Sequence, residues 1–165
     1  MSSSPSINIR LADPADASAI ASLLAAAFAE YLPLYTAEGY AATAISPEDI
    51  VRRIEEGPVW VSISDELIVG TVSVVLKGDS LYVRGMAVLP LARGQRIGEL
   101  LLAHVEKFAT SKGVRRLFLS TTPFLDRAIR LYEHFGFRRT SEGPHDLFGT
   151  PLFTMEKVRS IEPGG

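Results

Sequence analysis

Residues 83–102 read VRGMAVLPLARGQRIGELLL. The stretch opens as a valine-rich run of alternating character, breaks at Leu89-Pro90, and enters an apolar helix whose Ile97, Leu101, Val105 and Phe108 share one face. Between them lie Arg93, Gly94, Gln95 and Arg96, with Gly98 just inside the helix. A helix start carries unpaired backbone N–H groups and a partial positive charge. Glycine lets another molecule approach the backbone closely, and arginine adds permanent charge suited to phosphate. Residues 93–98 therefore describe a pocket for a phosphate or pyrophosphate. The competing reading is a shaped loop with solvated arginines. The position after a strand and before a helix, where open α/β sheets bind ligands, favours the pocket. Neither G-x-x-x-x-G-K-[ST] nor G-x-G-x-x-G occurs, which disfavours a nucleoside triphosphatase and a dinucleotide fold.

The flanking sequence extends this strand–loop–helix unit in both directions. Upstream, PVWVSIS, LIVGTVSVVL and LYVRGMAVL are strand-like runs separated by short polar turns, as in an antiparallel meander. Downstream, Gly113 stops the helix, and RRLFLSTT is a further strand, so the helix between makes a βαβ crossover and a parallel pair. DRAIRLYEHFG is a second amphipathic helix, and FRRTSE and LFTMEKV are closing strands around a loop at 142–151. At the other end INIRLA (7–12) alternates as a strand, Asp13-Pro14 opens a helix to about Phe28, and Ser46-Pro47-Glu48-Asp49 caps a short helix ending before Gly57-Pro58. Residues 30–45 show no clear period and read as a long connection, either a lid or a packed loop. The expectation is a mixed α/β fold in which a mostly antiparallel twisted sheet of about seven strands carries helices on both faces and one parallel βαβ crossover.

With 165 residues, 47% of them apolar, the chain is expected to form one domain (1–165, ordered over about 7–158) with a real core. A net charge of −2 argues against a general nucleic-acid binder. There is no cysteine, hence no thiolate nucleophile, and the three histidines lack metal-ligand spacing, so no metal is expected. The start shows no secretory signal, and the longest apolar run, at 19–29, is too short to span a bilayer. The expectation is a cytoplasmic protein with no membrane partner.

Two motifs then carry a resemblance. Arg93-Gly94-Gln95-Arg96-Ile97-Gly98 after a strand, followed by Ala128, Leu131, Tyr132, Gly136 and Phe137 in the second helix, resembles the GNAT acyltransferase superfamily, and the order of elements fits along nearly the whole chain. There are two departures. The family's middle glycine is Arg96 here, so either the backbone there tolerates a side chain or Arg96 turns outward to grip a phosphate of coenzyme A. The asparagine common in the family before the motif alanine is Leu125 here.

The resemblance implies acetyl transfer from acetyl-CoA to a primary amine of a small molecule or peptide, by direct attack in a ternary complex. It implies that Met86, Ala87 and Val88 pair with the pantetheine arm, and that residues 93–98 hold the pyrophosphate. It implies that Tyr132 protonates the leaving thiolate. On periodicity alone Tyr132 is a core aromatic beside Ile129, Leu131 and Phe135. Glu30, Glu38, Glu142, His145 and Asp146 are candidate bases, with ordered water as the alternative. Glu30, Tyr31, Tyr35 and His145 are candidate acceptor contacts, while His104 and His134 read as surface or half-buried residues. The rival functions are a non-catalytic coenzyme A-binding regulatory module and a scaffold with a vestigial pocket. A homodimer through the last strands stays open.

Overall fold

Valine-rich runs that alternate between two buried faces build the centre of the molecule. The computed structural model describes residues 6–143 and 145–159. Strands β1 (Asn8–Leu11), β2 (Val59–Ser64), β3 (Leu67–Lys77) and β4 (Ser80–Val88) form an antiparallel meander. Helix α4 (Ile97–Ser111) then crosses over to β5 (Arg116–Thr121), which pairs parallel to β4. Helix α5 (Asp126–His134) leads to short strands β6 (Arg138–Arg139) and β7 (His145–Leu147) and to β8 (Thr150–Val158), which pairs antiparallel to β5. The sheet has eight strands in the order β1-β2-β3-β4-β5-β8-β6, with β7 on the edge of β8. The count exceeds the expected seven because the loop at 142–151 contains a hairpin. Its two-residue turn, Phe148-Gly149, has positive φ at both positions (51° and 93°), the geometry that tight hairpins require.

Two cores lie against the two faces. On one side Ile97, Leu101, Leu102 and Val105 of α4 pack on Val72, Val74, Leu81, Val83 and Leu117. Trp60 sits edge-on to His104 and Phe108, with centroids 5.0 and 5.3 Å away. On the other side Ile20, Leu23 and Leu24 of α1 (Ala17–Phe28) and Ile50 of α3 (Pro47–Glu56) cover Val59, Val61 and Ala87. With its flanking 3-10 turns, α1 belongs to a 21-residue apolar segment, Pro14–Leu34, longer than the run apparent in the sequence and long enough by composition to cross a membrane. Here its buried stripe packs on the sheet.

The connection at 30–45 is not a loop. A 3-10 turn (Ala29–Leu34) runs into helix α2 (Ala37–Thr43). Thr36 caps α2 by accepting the Gly39 N–H at 2.9 Å. Its own hydroxyl donates to the Phe148 carbonyl at 2.7 Å, and its N–H donates to Thr150 Oγ1 at 3.0 Å. The segment is thus clamped to the β7–β8 hairpin, more than a hundred residues away in sequence.

Gly70 lets α4 come close. A Cβ there would lie 2.5 Å from Ser62 Oγ, 2.9 Å from Ile97 Cγ2 and 3.1 Å from Leu101 Cδ1. Overpacking of this kind costs about 1–3 kcal/mol. Gly70→Ala should lower the urea-unfolding free energy by that amount with an unchanged m-value, and full stability would show that α4 is free to shift.

Candidate active site

The site begins where a ladder ends. β4 and β5 pair only from Ser80↔Arg116 to Tyr82↔Phe118, although β4 continues to Val88 and β5 to Thr121. At that point β4 carries a bulge. Thr71 opposes Ala87 and Ser73 opposes Arg84, so Gly85 and Met86 together face Val72. Gly85 has φ +64°, a left-handed conformation that glycine adopts without strain. A bulge bends and twists its strand, and here β4 parts from β5.

The gap is a cavity of about 630 Å³. One wall is β4 from Tyr82 to Val88, and the other is β5 with Thr122, Leu125 and Leu131. At one end lies the loop before α4. Arg96 is the N-cap of this helix and supplies no side-chain cap, so the first-turn amides point out of the helix end without an internal partner. Gly94 (φ +88°) has open space where a side chain would be. Gly98 brings α4 against its neighbours, since a Cβ there would lie 2.8 Å from Leu131 Cδ2 and 3.3 Å from Met86 Cε. A narrow slot ending at an uncapped helix start fits an elongated ligand with an anionic end. That is the shape of a pantetheine arm joined to a pyrophosphate.

The expected cofactor residues mostly meet here. Met86, Ala87, Val88, Arg93, Gly94, Arg96, Ile97, Gly98 and Tyr132 line the cavity, and Gln95 does not. Arg96 occupies the glycine position in a left-handed conformation (φ 61°, ψ 25°), and its side chain turns out to solvent. Its guanidinium pairs with Glu99 at 2.7 Å. Arg93 is engaged by Glu30, which also accepts from Arg127 at 3.1 Å. Leu125 is the N-cap of α5 and gives no side-chain cap, so that helix start is open as well.

Tyr132 is 8% exposed and belongs to the α4-side core, with its ring 5.9 Å from that of Phe137. It is therefore both a core aromatic and a cavity-lining phenol. Burial, helped by nearby Tyr35, pushes this phenol well above its ordinary pKa. Tyr31 and Tyr35 also line the cavity, and both pack on Phe124. Burial raises the Tyr35 phenol, with Thr122 and Thr43 opposing.

The candidate bases are not at the cavity. Glu30 stands behind Arg93, whose hydrogen bond, seconded by Arg127, holds the carboxyl below its ordinary range. Glu142 is paired with Arg116 at 2.9 Å. Asp146 accepts the Gly149 N–H at 2.9 Å within the hairpin. His145 sits on β7 with Nε2 3.1 Å from Thr154 Oγ1. Glu38 is exposed on α2. Each is drawn off by a structural partner or by its position, so none of the five, nor His145 as an acceptor contact, lines the cavity. Sequence reasoning also missed Arg53, Arg84 and Gly85, which do line it. The available signal was an isolated glycine inside a strand pattern, which marks a bulge.

A family model described as Acetyltransferase (GNAT) family matches residues 20–137. Probable N-acetyltransferase camello from Xenopus laevis is 33% identical over 105 residues, covering 62% of this chain and 45% of that protein. The chain thus spans about half the length of that relative. The crystal structure of PaiA N-acetyltransferase from Thermoplasma acidophilum in complex with coenzyme A superposes with a TM-score of 0.78 at 20% identity, over 93% of this chain and 99% of that one. Salmonella typhimurium YncA with its cofactor acetyl-CoA superposes with a TM-score of 0.74 at 21% identity, over 97% and 98%. These two likenesses establish a shared fold.

A left-handed residue other than glycine carries a steric cost of about 1–2 kcal/mol, and an ion pair as exposed as Arg96–Glu99 contributes little. Arg96→Gly should therefore stabilise the protein by about 0.5–1 kcal/mol in chemical denaturation. A net loss would mean that the side chain holds the loop.

Proposed function

Because the chain belongs to the GNAT acetyltransferase family, we propose that it moves an acetyl group from acetyl-CoA to a primary amine by direct attack in a ternary complex. The observation that carries this reading is the cavity running from the uncapped start of α4 between the parted strands to Tyr132. Residues 93–98 hold the pyrophosphate through backbone amides, and the free edge of β4 at Met86, Ala87 and Val88 pairs with the pantetheine amides. Acetyl-CoA supplies the activated thioester when bound. The chain supplies alignment, which contributes roughly 7–11 kcal/mol in well-oriented systems. One backbone N–H from this stretch of β4, aimed at the thioester oxygen, adds about 3 kcal/mol.

In the transfer the amine nitrogen bonds to the acetyl carbon and the C–S bond breaks. The Tyr132 phenol gives its proton to the leaving sulfur, and the proton shed by the nitrogen returns to the phenol oxygen through water. A raised pKa keeps the phenol protonated throughout the neutral range, as a proton donor requires. With no free carboxylate or imidazole among the described lining residues, the incoming ammonium loses its proton to water. The lack of cysteine is compatible with a cytoplasmic location.

Thiol release from acetyl-CoA across a panel of amines, alongside calorimetry with acetyl-CoA alone, tests the reading. Turnover of at least one amine class is expected. Firm binding with no turnover would instead establish a coenzyme A-binding regulatory module, and no binding at millimolar concentration would end both readings.

Tyr132→Phe should lower kcat by about 100-fold or more with acetyl-CoA affinity unchanged. Unaltered turnover would remove the proton-donor role. An unperturbed phenol titrates near pH 10, and burial shifts this one upward. The rate should accordingly rise with pH as the amine deprotonates and show no falling limb below about pH 10. A falling limb near pH 8 that disappears in Tyr132→Phe would keep the phenol as proton donor and overturn its upward shift, whereas one that persists in Tyr132→Phe would belong to another group.

A further inference from the structure

On the face covered by α1, α2 and α3 the cavity is walled by Phe28, Tyr31 and Tyr35 and by two arginines, Arg53 of α3 and Arg84 of β4. Between them lies Gly85. A Cβ on Gly85 would collide with Arg53 Nη1, so that guanidinium lies directly over the bare backbone of the bulge. Arg84 Nη2 donates to Glu56 at 2.8 Å, while its Nε is buried without a hydrogen-bond partner among the described residues. Arg53 forms no ion pair of its own among the described residues. Burial first, and then neighbouring Arg84, pull its guanidinium below its ordinary pKa. Two partly desolvated like charges are unfavourable unless an anion satisfies them. Of the two carboxylates that act on Arg53, Glu56 is paired with Arg84 and Asp49 with Arg52, which leaves a single uncompensated positive charge. That matches a carboxylate monoanion better than a phosphate dianion.

Building on the acetyl-transfer reading, we infer that the acceptor is a small amine bearing its own carboxylate, which Arg53 and Arg84 hold across Gly85. Guanidinium forks suit a carboxylate bidentately, and buried donors strengthen the contact. Gly85 precedes Ala87 by two positions on β4, and a strand rises about 3.3 Å per residue. The carboxylate and the reacting nitrogen are then separated by about 7 Å or less, the span of an α- to γ-amino acid. A peptide N-terminus whose carboxylate lies several residues away does not meet this spacing. Phe28, Tyr31 and Tyr35 offer the rest of such a molecule an apolar, aromatic wall.

The test compares free L-amino acids with their primary carboxamides and with C-terminally amidated tripeptides in acetyl-CoA-dependent thiol release. The free acids should show kcat/KM about 10- to 100-fold above the carboxamides, as expected for a charged hydrogen-bonded contact. Arg53→Gln should erase that preference by raising KM for the acids while leaving KM for acetyl-CoA unchanged. Arg53→Lys, which keeps the charge, should retain part of it. Equal turnover of acids and carboxamides, a preference for tripeptides, or an intact acid preference in Arg53→Gln would each overturn the inference. The same contrast is read without turnover by calorimetry. N-acetyl-amino acids should bind the coenzyme A-saturated protein at least about 10-fold more tightly than their carboxamides, and equal binding overturns the inference while leaving acetyl transfer standing. Absence of acetyl-CoA binding would instead remove the reading beneath it.

Discussion

Beyond the pairing of Tyr82 with Phe118, two neighbouring parallel strands run on without a shared ladder. Backbone N–H and C=O groups in a protein interior demand partners. On its other edge β4 is paired with β3 as far as Val88, and β5 is paired with β8 along its whole length. Only the inner edges, from Val83 and Leu119 onward, are left open, and both border the cavity. A ligand that carries amides along an extended arm completes what the sheet leaves unfinished. The unpaired stretch leads to an uncapped helix start, so the open edge and the anion site share one axis.

Charge is distributed around this slot in a way the sequence alone disguises. Glu30 holds Arg93 and Arg127 together, so the turn after α1, the loop before α4 and the first turn of α5 meet at one carboxylate. Its depressed pKa follows from those two guanidinium groups and keeps it ionised as a brace. The same fact makes it unsuited to proton abstraction. Arg96 leans on Glu99, exposed to solvent at the mouth. Positive charge at the α4 end of the cavity is therefore held by local acids, whereas Arg53 on the opposite side has none to itself among the described residues.

What could be read in the sequence was whatever local pattern encodes. The run from Val83 to Leu102 announced its strand, break and helix because valine alternation, Pro90 and the stripe Ile97-Leu101-Val105 are local signals. The meander and the parallel crossover followed from turn spacing. Helix α2 was not legible. It is seven residues long, with only Gly39 buried, and its cap Thr36 is secured by Phe148 and Thr150. A periodicity argument cannot find a helix stabilised by a partner more than a hundred positions away. Strand β7 was hidden likewise, since Phe148 adopts a left-handed conformation that its residue type does not advertise. Nothing local in the short helix of residues 47–56 singled out Arg53. Its significance depends on the bulge beneath it, which a lone glycine in a valine-rich strand could have flagged.

The bulge also reconciles two demands that a regular strand could not meet. Along β4, Leu81 and Val83 face α4, and after the extra residue so do Met86 and Val88, while Ala87 faces α1. In unbroken alternation Ala87 would continue the series of Leu81 and Val83, and Met86 would turn to the other face. The inserted residue reverses this order. It places a small side chain under α1 and a long flexible one under α4, where it packs beside Gly98. It also leaves bare backbone at Gly85, over which Arg53 can reach. In the acetyl-transfer reading proposed above, donor and acceptor enter from opposite faces of one sheet and meet where a single residue has shifted the register.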